Sequence, residues 1–418
     1  MFGTHNKMLV GWSFLFLALF AVIVSRRADI IFNAQPWAED GNIWLAQIYN
    51  NGFWNSVIHP QNGYYQTVSR LAYGIGILFG VGNAPLVANI IAISLRCAFV
   101  MFILSSRMNN IPLKYRLVAA FYFLVMPNLG EAYVNITNAH WYLAVYLLAV
   151  ILCEDAANKY WKTHDFAVLF LSGTSGPFVI FLAPCLIIKR IAQRGGFVNA
   201  IKRINLFDLV MAALCFVQLI AVLSISDSDR VSAPLGASVG LLVEIFSAKI
   251  FASTFAEAHD AVGILRTPLF AWLLFLLVTG GVIYFTFKSE WRFKAAVIFP
   301  IVMIGFALSK PMVTPSEPLT LWEIMLIPLA GQRYFFITNF AFFCFLLYAV
   351  HKIGVKTNLM LAVLVLGLIP TLHKDFFIPP LPYISFYEDI ERFNKAETGE
   401  VVRIAITPPR WFMVLEKK

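Results

Sequence analysis

The chain has 418 residues, 60% hydrophobic and 13% charged, with a formal net charge of +9 and a mean hydropathy of +0.75. Soluble domains carry roughly 25% charged residues, so this composition excludes a soluble globular enzyme, and 15% aromatics exclude a disordered chain. What remains is an all-α polytopic membrane protein, because whole windows are apolar on every face, where a transmembrane barrel would alternate in ~10-residue strands.

A helix needs about 20 apolar residues to cross a ~30 Å hydrocarbon core. Spans are predicted at 9–25, 85–105, 207–226, 268–287 and 334–350, with shorter ones at 117–127, 139–153, 295–309 and 358–370. The first is read as an uncleaved span, because no A-x-A site follows it and Arg26 and Arg27 do. Residues 166–188 are read as a short broken hairpin, since Gly173-Thr174-Ser175-Gly176 and then Pro177 interrupt the apolar run. Non-helical backbone at membrane depth lines a cavity or is buried in protein, which makes the tip a candidate cavity wall. The sum is about 11 membrane helices.

The short links 107–116, 154–165, 189–206, 288–294 and 351–357, with Lys7, hold 16 Lys or Arg and 4 acids. Asp208 lies just beyond them, Arg96 lies inside a span, and the remaining connections hold 15 Lys or Arg and 18 acids. By the positive-inside rule the basic links are cytoplasmic, which sets the N-terminus inside and the C-terminus outside. The net charge is therefore a topology signal, and no nucleic-acid partner is expected. Residues 1–370 form the transmembrane domain, with outer loops at 26–84, 227–267 and 310–333. Residues 371–418 form a small extracytoplasmic αβ appendage, a helix at 385–396 followed by the strand-like VVRIAI. The five cysteines, Cys97, Cys153, Cys185, Cys215 and Cys344, sit in or beside apolar runs and form neither a disulfide framework nor a metal motif.

Chemistry is concentrated in the outer loops. Glu39 and Asp40 are adjacent just beyond the first span, where acids are costly and mark a functional site, a reading preferred to a solvated turn or to Asp40 capping the helix that follows. The run Ile43–Val57, with Trp44, Ile48, Phe53 and Trp54, is predicted to be an amphipathic helix lying in the membrane interface. His59, Tyr64 and Arg70 come next, the last suited to bidentate phosphate binding. In the second outer loop Glu131, Asn135, Asn138, His140 and Trp141 fall within about three helical turns, a set able to bond and stack a sugar. Arg333 and Lys310 flank a later loop and could hold a phosphate or act as snorkelling anchors. The segment 239–258 is predicted to be a second interfacial helix, and Arg96 to face the bundle interior. No phosphate-binding loop, dinucleotide fingerprint or zinc motif occurs.

This arrangement resembles the GT-C superfamily of polyprenyl-phosphate-sugar-dependent membrane glycosyltransferases, and most closely its bacterial branch that modifies surface polysaccharides. The likeness rests on the Glu39-Asp40 pair in a long first outer loop and on Glu131 with Asn138 to Trp141. It also rests on Ser175 to Phe178 in the broken hairpin and on Gln332 to Phe336 opening a late span. The resemblance implies an inverting transfer of a sugar from a polyprenyl-phosphate donor to a hydroxyl of a cell-envelope glycan or lipid-linked acceptor. It would take place on the outer face of the bacterial inner membrane. Asp40 or Glu39 would be the base and Arg70 or Arg333 would hold the phosphate. His59, Tyr64, Glu131, Asn138, His140, Trp141, Ser175 and Lys310 would line the substrate site. No cofactor or metal is expected; membrane lipids, a flippase and a donor-synthesising enzyme are the expected partners. The rival is a transporter or flippase of lipid-linked sugars, which would need ionisable groups along a mid-membrane path; Arg96 alone qualifies.

Overall fold

The computed structural model describes residues 2–224, 233–265 and 267–418. Residues 227–232 and 266 of the expected outer loop 227–267 lie outside the described residues. The fold is mostly helical with one two-stranded sheet. Its longer helices among the described residues include α1 Phe2–Arg26, α2 Ala84–Leu104, α3 Leu113–Val125, α4 Ala139–Leu152, α5 Lys159–Gly173, α6 Phe178–Arg194, α7 Leu206–Leu223, α8 Pro268–Lys288, α9 Trp291–Ser309, α10 Gln332–Ile353 and α11 Thr357–Leu366.

Among the described residues six segments are long and apolar enough to cross a membrane: α2, α7, α8, α9, α10 and the stretch Thr357–Asp375 that contains α11. The expected count of about 11 is not reached on that criterion. α3 has 13 residues and α4 has 14, roughly 20 Å each, and α5 and α6 are charged at one end.

Ion pairs collect the basic links at one end of the bundle. Arg107 pairs with Asp165, Lys189 and Arg190 with Asp155, Arg190 and Arg194 with Asp208, and Arg292 with Glu154. Because the C-terminal part of α6 returns to the residues that precede α5, the two helices form a hairpin whose turn, Thr174–Pro177, lies at the far end. The arginines following α1 also have a structural role. Arg26 is fully buried and donates to Leu124 O at 2.8 Å, Met126 O at 3.0 Å and Phe376 O at 3.0 Å. It thereby satisfies carbonyls left over at the end of α3.

The segment 43–57 is not one surface helix. Gly52, at φ 85°, divides it into Ala46–Asn51 and Phe53–Val57. Trp44 is 1% exposed and Ile48 is buried, whereas Trp54 is 78% exposed. The C-terminal tail packs beside the first of these pieces, where the Tyr49 ring meets Phe393 edge-on at 5.5 Å. There the helix Phe386–Lys395 buries Phe386, Ile390 and Phe393, a one-faced spacing. Strands β1 Val401–Ile406 and β2 Trp411–Glu416 pair in register from Val401↔Glu416 to Ile406↔Trp411.

The tail is stitched to the first loop by Ala38 N–H donating to Thr407 O at 2.5 Å and Thr407 N–H to Pro36 O at 3.2 Å. Asn50 bonds Val414 O at 2.9 Å and Glu416 N–H at 3.1 Å. The helix Ile369–Asp375 runs across position 370, and residues 376–385, without helix or strand, lead from it to the helix Phe386–Lys395. Gly41 allows the close approach: a Cβ there would lie 2.9 Å from Ile406 Cδ1 and 3.0 Å from Pro36 Cβ. Gly41→Val is therefore expected to cost about 1–3 kcal/mol by overpacking. Lowered thermal stability together with faster proteolysis of residues 380–418 would register it; unchanged values in both would refute the close packing.

Candidate functional site

The acidic pair follows a strained residue. Ala38 has φ 42°, a left-handed value uncommon for a residue with a Cβ. Glu39 then leads into a π-helical turn, Asp40–Leu45, a form that recurs at functional sites.

Asp40 is 2% exposed. Its Oδ1 accepts from the Thr137 backbone N–H at 3.0 Å and from the Thr137 hydroxyl at 2.5 Å, while Oδ2 has no partner among the described residues. Trp44 Nε1–H donates to Thr137 Oγ1 at 2.8 Å, which turns the hydroxyl proton toward the carboxylate. Burial pushes the Asp40 carboxyl up to about 7; the Thr137 bonds pull it down and the Glu39 charge adds to the rise. Glu39 is half-buried and makes no hydrogen bond or ion pair among the described residues. It lies close enough to Tyr64 and Arg333 for its charge to act on both.

Thr137 also joins the pair to the second loop. His140 Nδ1 lies 2.5 Å from Thr137 O, a contact that assigns the ring proton to Nδ1, and Gln66 Nε2 lies 3.3 Å from the same nitrogen. The imidazole is buried among Tyr64, Trp141 and Phe178, at centroid distances of 6.1, 5.5 and 5.5 Å, and Trp141 meets Tyr334 edge-on at 5.8 Å. Burial pushes the Tyr64 hydroxyl up to about 12.

The hairpin tip closes the wall behind His140. Gly176 N–H donates to Tyr65 O at 2.8 Å, Thr67 N–H to Thr174 O at 3.1 Å and Val68 N–H to Ser175 Oγ at 2.9 Å. Ser175 is fully buried and its oxygen is engaged in holding the loop. Gly176 has φ 90°, and a Cβ there would lie 3.1 Å from His140 Cδ2.

On the other side Glu131 and Arg333 form an ion pair, and Arg333 N–H donates to Glu131 Oε2 at 3.3 Å. Arg333 Nη2 donates to Met312 O at 2.6 Å. Asn135 and Asn138 direct their side-chain amides to Glu131 O at 2.7 and 3.3 Å, so they shape this loop from within.

Lys249 carries a role that sequence reading missed. The segment 239–258 begins as the helix Val239–Ile245, exposed at its start, and then turns inward as a mostly buried π-turn, Phe246–Phe251. Its Lys249 Nζ donates to Ile327 O, Pro328 O and Ala330 O at 2.8, 2.7 and 3.2 Å, holding the loop that leads into Arg333. Burial pushes this amine down to about 7. A lysine in an otherwise apolar run was the available signal.

Three expected residues stand apart. His59 is exposed and contributes only its carbonyl, which accepts from Arg70 Nη2 at 3.0 Å. Arg70 is fully buried with its guanidinium 5.1 Å from the Trp44 ring, and its Nε and Nη1 lack partners. Burial alone pushes it down to about 10. Lys310 is exposed and makes no polar contact among the described residues. Arg96 does face the bundle interior, where Tyr142, Tyr133 and Phe123 enclose it at 4.6, 4.7 and 5.6 Å and no hydrogen bond reaches it. Among the described residues no group of three or more His, Cys, Asp or Glu is arranged to hold a metal ion.

The class this architecture defines is a polytopic helical protein with apolar helices of membrane length and a polar site built from its interhelical loops. Comparison with protein-family models, curated proteins and solved structures returns no match to this chain.

Proposed function

We propose that the protein is an integral membrane glycosyltransferase that moves a sugar from a polyprenyl-phosphate donor to a hydroxyl acceptor, with inversion, on the outer face of a bacterial inner membrane. The observation that carries the reading is the carboxylate of Asp40. It is desolvated, anchored on Thr137, and bordered by the His140–Trp141 wall on one side and by Glu39 toward Arg333 on the other.

A carboxyl raised to about 7 accepts a proton at neutral pH more readily than an ordinary one, which is what a general base for a sugar hydroxyl requires. Thr137 engages Oδ1 and leaves Oδ2 to take the proton. The acceptor oxygen attacks the anomeric carbon, its proton passes to Asp40, and the bond to the donor phosphate breaks. The Arg333 guanidinium balances the charge that develops on that phosphate. Glu39 orients the acceptor, and the aromatic faces of Trp141 and Tyr334 stack a sugar ring.

Eleven membrane traverses are part of the proposal. What supports them is the clustering of the basic links at one end and of the acidic-pair loops at the other. The basic end is then cytoplasmic.

The test is transfer in proteoliposomes supplied with a panel of polyprenyl-phosphate sugars and envelope glycan acceptors. Glu39→Gln is expected to lower turnover about 10–100-fold, short of the loss expected of a missing base. Wild-type protein inactive with every donor, or full turnover in both Glu39→Gln and Asp40→Asn, would sink the assignment.

A further inference from the structure

An apolar cavity lies at the other end of the bundle from Asp40. It has a volume of about 330 Å³ and is walled by α2, α3, α4, α9 and α10, with Phe99, Val145, Phe293, Ala341 and Phe345 among its apolar residues. That size suits a ligand pocket. It extends along α10 from Ile337 to Lys352, roughly 22 Å at 1.5 Å per residue. An aromatic layer separates it from the candidate site: Phe123 meets Phe336 at 6.0 Å and Phe340 at 5.5 Å, and Phe336 meets Tyr142 at 4.4 Å.

The mouth differs in chemistry from the walls. Arg116, Arg292, His351 and Lys352 line it, against the single acid Glu290. Arg292 is paired with Glu154 and Glu290. Arg116 has no acid; it is buried, its Nη1 donating to Ile103 O, Leu104 O and Ser105 O at 3.3, 3.2 and 2.6 Å and its Nη2 to Asn109 Oδ1 at 3.1 Å. Lys352 is exposed, with Nζ 5.4 Å from the Tyr348 ring and no acid within bonding distance among the described residues. A long apolar groove that opens on cations without counter-charges matches a lipid with apolar chains and an anionic head. Basic pockets between membrane helices on the positive side bind such head groups.

The geometry points to a binding site for one anionic phospholipid of the basic-side leaflet, with an acyl chain along α9 and α10 and its phosphate at Lys352 and Arg116. The site is distinct from the proposed transfer site and requires only that the helices lie in a bilayer. The lipid would fill a cavity that α9 and α10 cannot close, since Ala341 and the Ala296 turn opposite present small side chains to it. Occupancy would hold these helices apart without taking part in chemistry.

Photo-crosslinking tests this. The full chain is reconstituted in phosphatidylcholine vesicles doped with either phosphatidylglycerol or phosphatidylcholine carrying the same diazirine-labelled acyl chain, and cross-linked peptides are mapped. The anionic probe is expected to label residues 293–299 and 341–348 about fivefold more than the zwitterionic probe, the preference one cation confers. Both probes are expected to label the exposed Leu276 and Leu277 of α8 equally. Ala341→Trp fills the groove and should abolish groove labelling while labelling at Leu276 and Leu277 persists. Lys352→Gln leaves the groove open and should remove most of the head-group preference. Equal groove labelling by the two probes in the wild type would overturn the anionic head group. Groove labelling no stronger than that of Leu276 and Leu277 would overturn the site.

Discussion

Asp40→Asn is expected to abolish transfer and, in the same protein, to raise the thermal stability measured at pH 8. The carboxyl shifts from 3.8 to about 7 on folding because burial removes it from water. Between those values the folded chain holds a proton that the unfolded chain has released, so stability falls as pH rises through the interval and is level above it. Each pH unit is worth 1.36 kcal/mol, so the ionised Asp40 costs the fold up to about 4 kcal/mol at pH 8. An asparagine has no charge to desolvate, and its Oδ1 still accepts both Thr137 bonds.

The stability difference should be largest at pH 8 and small near pH 4, while turnover falls about 10²–10⁴-fold, the contribution of a general base. Melting curves in detergent across that range, set beside the transfer assay, give both readouts. Equal melting temperatures at pH 8 would show that the carboxylate is hydrated and remove the physical basis for its role. Sites that trade stability for reactivity behave this way.

The second large effect concerns Glu131 and Arg333. Arg333→Gln leaves a mostly buried carboxylate without its partner, and Glu131→Gln does the same to the guanidinium. Each single change should destabilise the protein more than the double change, with a coupling of about 0.5–3 kcal/mol. Arg333→Lys should keep the charge and still lose about 10²-fold in turnover. One ammonium cannot replace the planar fork that meets the Glu131 carboxylate and Met312 O in the native chain and still serve the proposed donor phosphate. Additive stabilities in the cycle, or full activity in Arg333→Lys, would contradict this arrangement. Chemical unfolding and the proteoliposome assay provide the two measurements.

Much of this site was legible before any coordinates. The acid pair announced itself by rarity, since carboxylates beside a span are costly. The tetrad Gly173–Gly176 with Pro177 marked the hairpin turn, because a helix cannot pass through it. The strand-like run Val401–Ile406 marked a strand. Thr137 was not legible, because a threonine carries no local sign that it will bond a carboxylate 97 residues earlier. The burial of Trp44 was misread for a related reason. Its periodicity specified an apolar face, and Thr137 and Arg70, rather than lipid, meet the Trp44 ring.

The amino-acid order alone determined where the long apolar helices begin and end, which links are basic, and where the chain must turn. These follow from transfer free energies and backbone restrictions that act residue by residue along the chain. The folded molecule decided the rest: that the tail closes over the first loop, that Asp40 is buried while Glu39 is half-exposed, and that Lys249 holds the approach to Arg333. It also decided that the cavity opens at the basic end. Burial and hydrogen bonding depend on which segments meet in space, and a local pattern states only that a face will be covered, not what covers it.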